Sequence, residues 1–478
     1  ILIMKAIKYV MMGALMLGIG TPAFAQTGDP KADTEAITKM IKNKAGDLAE
    51  QSKKYAKKYK KNTDVLLAMS KAYYEVKDTA NARIMAENAL KANKKCAKAF
   101  IILGDIQALS DDGGAAAQQY QQAIYFDPKD PEGYYKYANV YKKVSPTEAV
   151  AKLEELRSQR PDIAVDALAG RIYYTSNKFS NAIDCYNKAW ADKDKMEERD
   201  IRDFAMAYYL TGKAANALEV AKFGLTKAPR DAAFNRLAFF TSTDTKQYEQ
   251  ALQYADALFN KSDSAKFSYF DYTYYGNALK GVKKYDEAIE SYKKAIEQEF
   301  DSKDKKAGVI KTLSDTYSEI EDYASAIKYY ERYLAEYSTP TATDHAGLAQ
   351  LYYYQASKLT DGEMVASLKK SDELYKNLGE KYADAIEYAT FWRARVNNAM
   401  DDDQKNGYAK PHYEKLIELY NTRTELNNSD KSRLKEAYLY LISYEARIAN
   451  NMAAAKTLSE KLIVIDPENA VAKQVLGM

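Results

Sequence analysis

The chain has 478 residues, room for two or three ordinary domains or for one elongated array. Apolar residues at 46% allow a real core, and charged residues at 29% suit a soluble protein. A net charge of +3 excludes a whole-molecule field favouring nucleic acid. Only 10 Pro and 20 Gly argue for helix over a β-sandwich or disorder, and the 42 Tyr stand out against 14 Phe and 2 Trp.

In chain order, residues 1–25 come first and read as a secretory signal peptide. Lys5 and Lys8 precede the apolar run "YVMMGALMLGIG", and "TPAFA" ends in Ala23-Phe24-Ala25, the small-x-small pattern that a signal peptidase cuts. Met4 is the expected start, and cleavage is expected between Ala25 and Gln26. The run is shorter than the roughly 20 residues of a membrane span. No cysteine follows the cleavage site, which argues against a lipid anchor. Loss of Lys5 and Lys8 takes the net charge to about +1. The expected location is exported, periplasmic in a Gram-negative envelope. Two cysteines, Cys96 and Cys185, are too few for a disulfide framework. Cys185 falls on an apolar helical face and reads as a small buried residue.

Residues 26–62 read as N-terminal capping helices. They include "KKYAKKYKK" from Lys53 to Lys61, with Tyr55 and Tyr59 interleaved. Such a run could meet anionic lipid, glycan or a partner, but the solvated face of a capping helix is the favoured reading.

Residues 63–340 repeat. The stretches "KKYDEAIESYKKAI", "NKFSNAIDCYNKAW", "GKAANALEVAKFGL", "GGAAAQQYQQAIYF", "EDYASAIKYYERYL" and "KQYEQALQYADALF" align on one alanine. An apolar or aromatic residue follows four places on in most copies. The anchors are Ala82, Ala116, Ala149, Ala182, Ala217, Ala251, Ala288 and Ala326, with gaps of 34, 33, 33, 35, 34, 37 and 38. A period near 34 is that of a helix-turn-helix unit. Twelve residues before Ala116 and Ala288 stand Gly104 and Gly276, and twelve after Ala116, Ala149, Ala217 and Ala455 stand Pro128, Pro161, Pro229 and Pro467. The small residues let two helices approach closely, the aromatic fills space against the next unit, and proline ends the second helix. A turn is expected around Gly281.

These residues resemble the tetratricopeptide repeat, most completely in "FIILGDIQALSDDGGAAAQQYQQAIYFDP", Phe100 to Pro128. The resemblance covers roughly Thr63 to the C-terminus. It implies an all-α fold, a right-handed α-solenoid of about eleven helix-turn-helix units sharing a continuous core.

Residues 341–478 read as irregular units of the same kind. The next anchors are Ser371, 45 residues after Ala326, then Ala409 and Ala455. The segment "FWRARVNNAMDDDQKNGYAKPHYEKLIELY" resembles a recurring tail of secreted repeat proteins of Gram-negative Bacteroidota.

Catalytic constellations are scarce. The two histidines, His345 and His412, lack metal-ligand spacing, and no phosphate-binding glycine loop follows a strand pattern. "MDDDQKNG", Met400 to Gly407, lacks the alternate spacing of a calcium loop. No cofactor and no metal are expected, and the chain reads as non-enzymatic.

The resemblance implies a groove lined by the first helix of each unit. Tyr-Tyr pairs recur at Tyr73-Tyr74, Tyr173-Tyr174, Tyr208-Tyr209 and Tyr352-Tyr353, the first packing and the second, about 100° round the helix, facing the groove. The candidate partner-binding residues are Tyr74, Tyr135, Asn139, Lys142, Arg171, Tyr174, Arg202, Tyr209, Arg236, Asn277, Lys280 and Lys311, with Met206 and Phe240 nearby. Such a mix suits an extended peptide, stacked on tyrosine and bonded through its backbone and carboxylates. The two-carboxylate clamp of chaperone-binding members needs asparagine in adjacent repeats. Here Asn139 and Asn277 stand four repeats apart. The expected function is a protein-interaction scaffold of the cell envelope, with a protein or peptide partner, no nucleic acid and no membrane span. Association with a membrane complex fits. The alternatives are glycan binding, or an accessory role in outer-membrane assembly or nutrient uptake.

Overall fold

The computed structural model describes residues 29–478, so the leader read at residues 1–25 lies outside the described residues. Among those residues the chain is all-α, with twenty-five α-helices and no strand, a solenoid of tandem helix-turn-helix repeats. Its contacts divide into two units, one ending at Lys227 and one running Ala228–Met478.

In the first unit, α1 (Pro30–Asn43) and α2 (Leu48–Lys58) precede five hairpins. These are α3 (Thr63–Glu75) with α4 (Thr79–Ala92), α5 (Ala97–Leu109) with α6 (Gly113–Phe126), and α7 (Pro131–Tyr141) with α8 (Pro146–Gln159). Then come α9 (Asp166–Thr175) with α10 (Phe179–Ala189), and α11 (Glu198–Leu210) with α12 (Ala214–Lys227). Helix α1 packs on α3 as well as on α2. The buried carboxylate of Asp33 accepts hydrogen bonds from Lys58 Nζ and Tyr59 Oη, both at 2.5 Å. Tyr55 and Tyr59 are buried, and Lys54 pairs with Glu50 at 2.7 Å. Lys58 and Tyr59 of the lysine-rich run therefore tie the end of α2 to α1.

The second unit holds α13 (Ala232–Asp244) with α14 (Tyr248–Asp256), α15 (Tyr269–Gly281) with α16 (Tyr285–Ile296), and α17 (Lys303–Glu319) with α18 (Tyr323–Glu336). It continues through α19 (Ala342–Ala356) with α20 (Asp361–Lys381), α21 (Ile386–Met400) with α22 (Lys410–Asn421), and α23 (Asn428–Arg447) with α24 (Met452–Ile465), and ends in α25 (Ala470–Leu476).

The repeat chemistry has one register. Ala82, Ala116, Ala149, Ala182, Ala217, Ala251, Ala288, Ala326 and Ala455 are each the fourth residue of a second helix, and each is fully buried. A tyrosine four residues on lies against a first-helix glycine: Tyr120 on Gly104, Tyr186 on Gly170 and Tyr292 on Gly276. A Cβ on these glycines would come within 2.4, 2.7 and 2.6 Å of the ring.

The turns repeat as closely. Five residues before the alanine, Lys77, Asp111, Asn177, Gly212, Lys246, Lys283, Glu321 and Asn450 all have positive φ. Several of the residues that follow cap the second helix: Asp78, Asp112, Asp322 and Asn451 each accept from a backbone N–H three residues on. The turn expected at Gly281 therefore falls at Lys283. Gly281 ends α15, and its missing side chain admits the Tyr248 ring, 2.4 Å from where a Cβ would stand.

Two anchors depart from this register. Ser371 is the eleventh residue of the long helix α20, and its hydroxyl donates to the Ala349 carbonyl at 2.7 Å. Ala409 precedes α22 as its N-cap residue. The loop before it is organised by the buried carboxylate of Asp401, which accepts from the backbone N–H groups of Asn406 and Gly407 at 3.0 and 2.7 Å. That acidic cluster is a backbone-capping device.

Candidate functional site

Three of the four Tyr-Tyr pairs differ in burial as their helical phase implies. Tyr73, Tyr173 and Tyr208 are buried, whereas Tyr74, Tyr174 and Tyr209 are half-buried. Tyr352 and Tyr353 are both half-buried. The Tyr174 ring leans on Phe179 with centroids 5.7 Å apart. Burial pushes the phenols of Tyr74 and Tyr174 up.

The first-helix cations are largely engaged. Arg171 of α9 makes a two-pronged contact with Asp200 of α11 at 2.8 and 2.7 Å, and reaches Glu197 at 2.8 Å. The bond to Asp200 holds its guanidinium above the ordinary value. Arg236 of α13 binds Asp271 of α15 at 2.6 Å, and Lys280 of α15 binds Glu319 of α17 at 2.6 Å. Asp105 and Lys136, which sequence reasoning missed, join α5 to α7 at 2.8 Å. These pairs staple one first helix to the next and consume the charge that the sequence offered to a partner. Lys142 donates to Asn139 on its own helix at 2.7 Å. Arg202 and Tyr209 are half-buried on α11. Lys311 pairs with Asp315 at 3.1 Å.

Asn277 accepts a hydrogen bond from the Tyr292 hydroxyl at 2.7 Å. Tyr120 makes the equivalent bond to Asp105 at 2.8 Å. In both repeats the acceptor stands eleven residues before the buried alanine. The equivalent residue before Ala326 is Asp315, which is turned to Lys311. Tyr330, the corresponding tyrosine, is 5% exposed, and its hydroxyl has no hydrogen-bond partner among the described residues. It lies against Gly347 of α19, where a Cβ would stand 2.1 Å from the oxygen.

Tyr330 and Gly347 line a cleft of about 620 Å³ in the second unit. The first helices α17, α19 and α21 contribute Lys311, Asp315, Asp344, Gln350, Tyr354 and Tyr388, and Asp384 lies just before α21. Burial and the charges of Asp344 and Asp315 push the Tyr330 phenol well up, so the hydroxyl stays protonated and able to donate. Burial would raise the Asp344 carboxyl, but bonds from the Thr341 backbone and hydroxyl and from the Tyr333 hydroxyl outweigh it and hold the group low.

Of the residues read from sequence, Lys311 lines this cleft. Tyr135 and Arg171 line a second cleft of about 690 Å³ in the first unit. There three of the four lining cations are paired: Arg157 with Asp166 at 2.6 Å, Lys195 with Asp192 at 3.0 Å, and Arg171 as above. Tyr74, Asn139, Lys142, Tyr174, Arg202, Tyr209, Arg236, Asn277 and Lys280 line neither cleft. Sequence reasoning missed Tyr330, Gly347, Gln350, Tyr354, Asp384 and Tyr388. The available signal was the tyrosine four residues after Ala326, read there only as a space-filler.

Among the described residues no cluster of His, Cys, Asp and Glu could hold a metal ion. Cys96 and Cys185 are buried free thiols, and burial pushes the Cys185 thiol up to about 11. No helix among the described residues is long and apolar enough to cross a membrane.

No protein-family model matches the chain, and no curated protein matches it. Among solved structures it is similar to the C-terminal part of a TPR repeat-containing protein from Cytophaga hutchinsonii. That likeness has 23% identity and a TM-score of 0.42, and covers 65% of this chain and 100% of that one. It is also similar to a tetratricopeptide repeat protein from Parabacteroides merdae, at 18% identity and a TM-score of 0.34, covering 53% and 98%. A third is the anaphase-promoting-complex hetero-tetramer Cut9–Hcn1, at 17% identity and a TM-score of 0.31, covering 73% and 70%.

Proposed function

We propose that the chain is a non-enzymatic protein-interaction scaffold of the cell envelope, exported to the periplasm, which holds an extended partner segment against its first-helix surface. The observation that carries this reading is the cleft of the second unit. It is an open, mixed polar and aromatic surface across three successive first helices, with a protonated hydroxyl at Tyr330 that the fold does not use. A hydrogen-bonding edge beside aromatic rings suits peptide recognition. Elsewhere on the first helices of this unit, charges are spent on holding repeats together, Arg236 with Asp271 and Lys280 with Glu319, which suits a rigid platform.

Crosslinking capture from the native envelope tests the reading, comparing the wild type with the double variant Gln350→Ala/Tyr354→Ala. Recovery of a defined partner that is lost with the double variant supports it. Absence of any protein partner, together with binding of oligosaccharides, would replace it with a glycan-binding role.

A further inference from the structure

The chemistry of the second-unit cleft narrows what it can hold, an inference that rests on the scaffold reading. Its lining carries one cation, Lys311, against the carboxylates of Asp315, Asp344 and Asp384. Lys311 and Asp315 neutralise each other at 3.1 Å. Asp344 is taken up by Thr341 and Tyr333. Asp384 is exposed and has no ion-pair or hydrogen-bond partner among the described residues. Beside it stand Tyr388, half-buried, and Tyr354, 39% exposed, whose hydroxyl accepts from Gln350 at 2.9 Å.

We infer that the cleft takes a partner-protein segment bearing a Lys or Arg side chain: Tyr330 donates to a backbone carbonyl of the segment, and Asp384 meets the cation. The hydroxyl is an unused donor on a cleft wall that Gly347 leaves uncovered. An anionic acceptor there would be repelled by Asp344 and Asp315, whereas a neutral peptide carbonyl would not. The net negative lining selects a cation for the neighbouring position, and the half-exposed ring of Tyr354 adds cation–π attraction. The sequence offered groove cations to a partner's carboxylates, whereas Arg171, Arg236, Lys280 and Lys311 are paired internally.

The test uses the full chain and short fluorescent peptides that alternate alanine with arginine, glutamine or glutamate, read by anisotropy. The arginine peptide should bind about tenfold more tightly than the glutamine peptide, and the glutamate peptide most weakly. Asp384→Lys should weaken the arginine peptide about tenfold, and Tyr330→Phe about three- to tenfold, the range for one neutral hydrogen bond. Because the Tyr330 hydroxyl has no partner in the fold, Tyr330→Phe should unfold thermally as the wild type does. Glu290→Lys, outside this cleft, should leave affinity unchanged. The inference is overturned if no peptide binds, if glutamate matches arginine, if binding survives both cleft substitutions, or if Glu290→Lys weakens it as much. A native partner whose capture ignores Asp384 and Tyr330 would overturn this inference and leave the scaffold reading standing. Finding no native partner would overturn the scaffold reading itself.

Discussion

The ring of Tyr292 occupies the space where a side chain on Gly276 would stand, with Cε1 at 2.6 Å from the Cβ position. Gly276→Ala should therefore destabilise the chain by about 1–3 kcal/mol, the usual range for overpacking a close contact. Gly308, inside α17, has nothing within 4 Å of its Cβ position. Gly308→Ala should be neutral or stabilising by up to about 1 kcal/mol. Denaturant melts of the two variants check the contrast, and similar midpoints would contradict the packing account.

Arg236 and Asp271 join successive first helices, and the carboxylate is 1% exposed. Arg236→Met leaves that charge buried and should cost about 3–5 kcal/mol. Adding Asp271→Asn should recover part of the loss, since the stranded charge is then gone. Chemical denaturation of the single and double variants measures the coupling, and simple additivity would count against the pair.

The left-handed turn residues are mostly not glycine. Lys283 has φ +62° one residue before the cap of α16. Lys283→Gly should stabilise by about 0.5–1 kcal/mol by relieving the left-handed penalty, net of the glycine entropy, while Lys283→Val should destabilise. Thermal melting should order the three chains Gly, Lys, Val. Any order with Val first would refute the turn assignment.

Both histidines are held below their ordinary value. For His345 the causes are burial and the charge of Lys381, whose ammonium lies 3.1 Å from its Nε2. For His412 they are burial and Arg393. A depressed histidine is neutral when folded but takes up a proton when unfolded. Stability should therefore be full above the unfolded value near 6.5 and decline as pH falls from about 7 to about 5. Melting temperature against pH should show this slope, and His412→Gln should flatten it. A slope unchanged in a variant lacking both histidines would assign the effect elsewhere.

The repeat was legible because its marks are local and compositional. The anchoring alanine is fully buried on the inner face of a second helix, and nine of the anchors share one helical position. The turn conformation was not legible. Lys, Asp, Asn and Glu fill positive-φ positions without the glycine that would announce them, while Gly281 serves a tyrosine ring. The site residues were legible in type but not in pairing. Arg171 and Arg236 face carboxylates 29 and 35 residues away, a distance that depends on how successive repeats dock. The same limit hid Tyr330: its hydroxyl is idle only because Asp315 turns to Lys311.

The central claim is that the first-helix cleft of the second unit receives a protein partner. Site-specific photocrosslinking in the native envelope addresses it most directly, with the photoreactive residue placed at Gln350 in the cleft or at Lys294 on α16. The account predicts one discrete protein adduct from position 350, suppressed by Asp384→Lys, and none of that mass from position 294. Adducts of the same mass from both positions, or none from position 350, would contradict it.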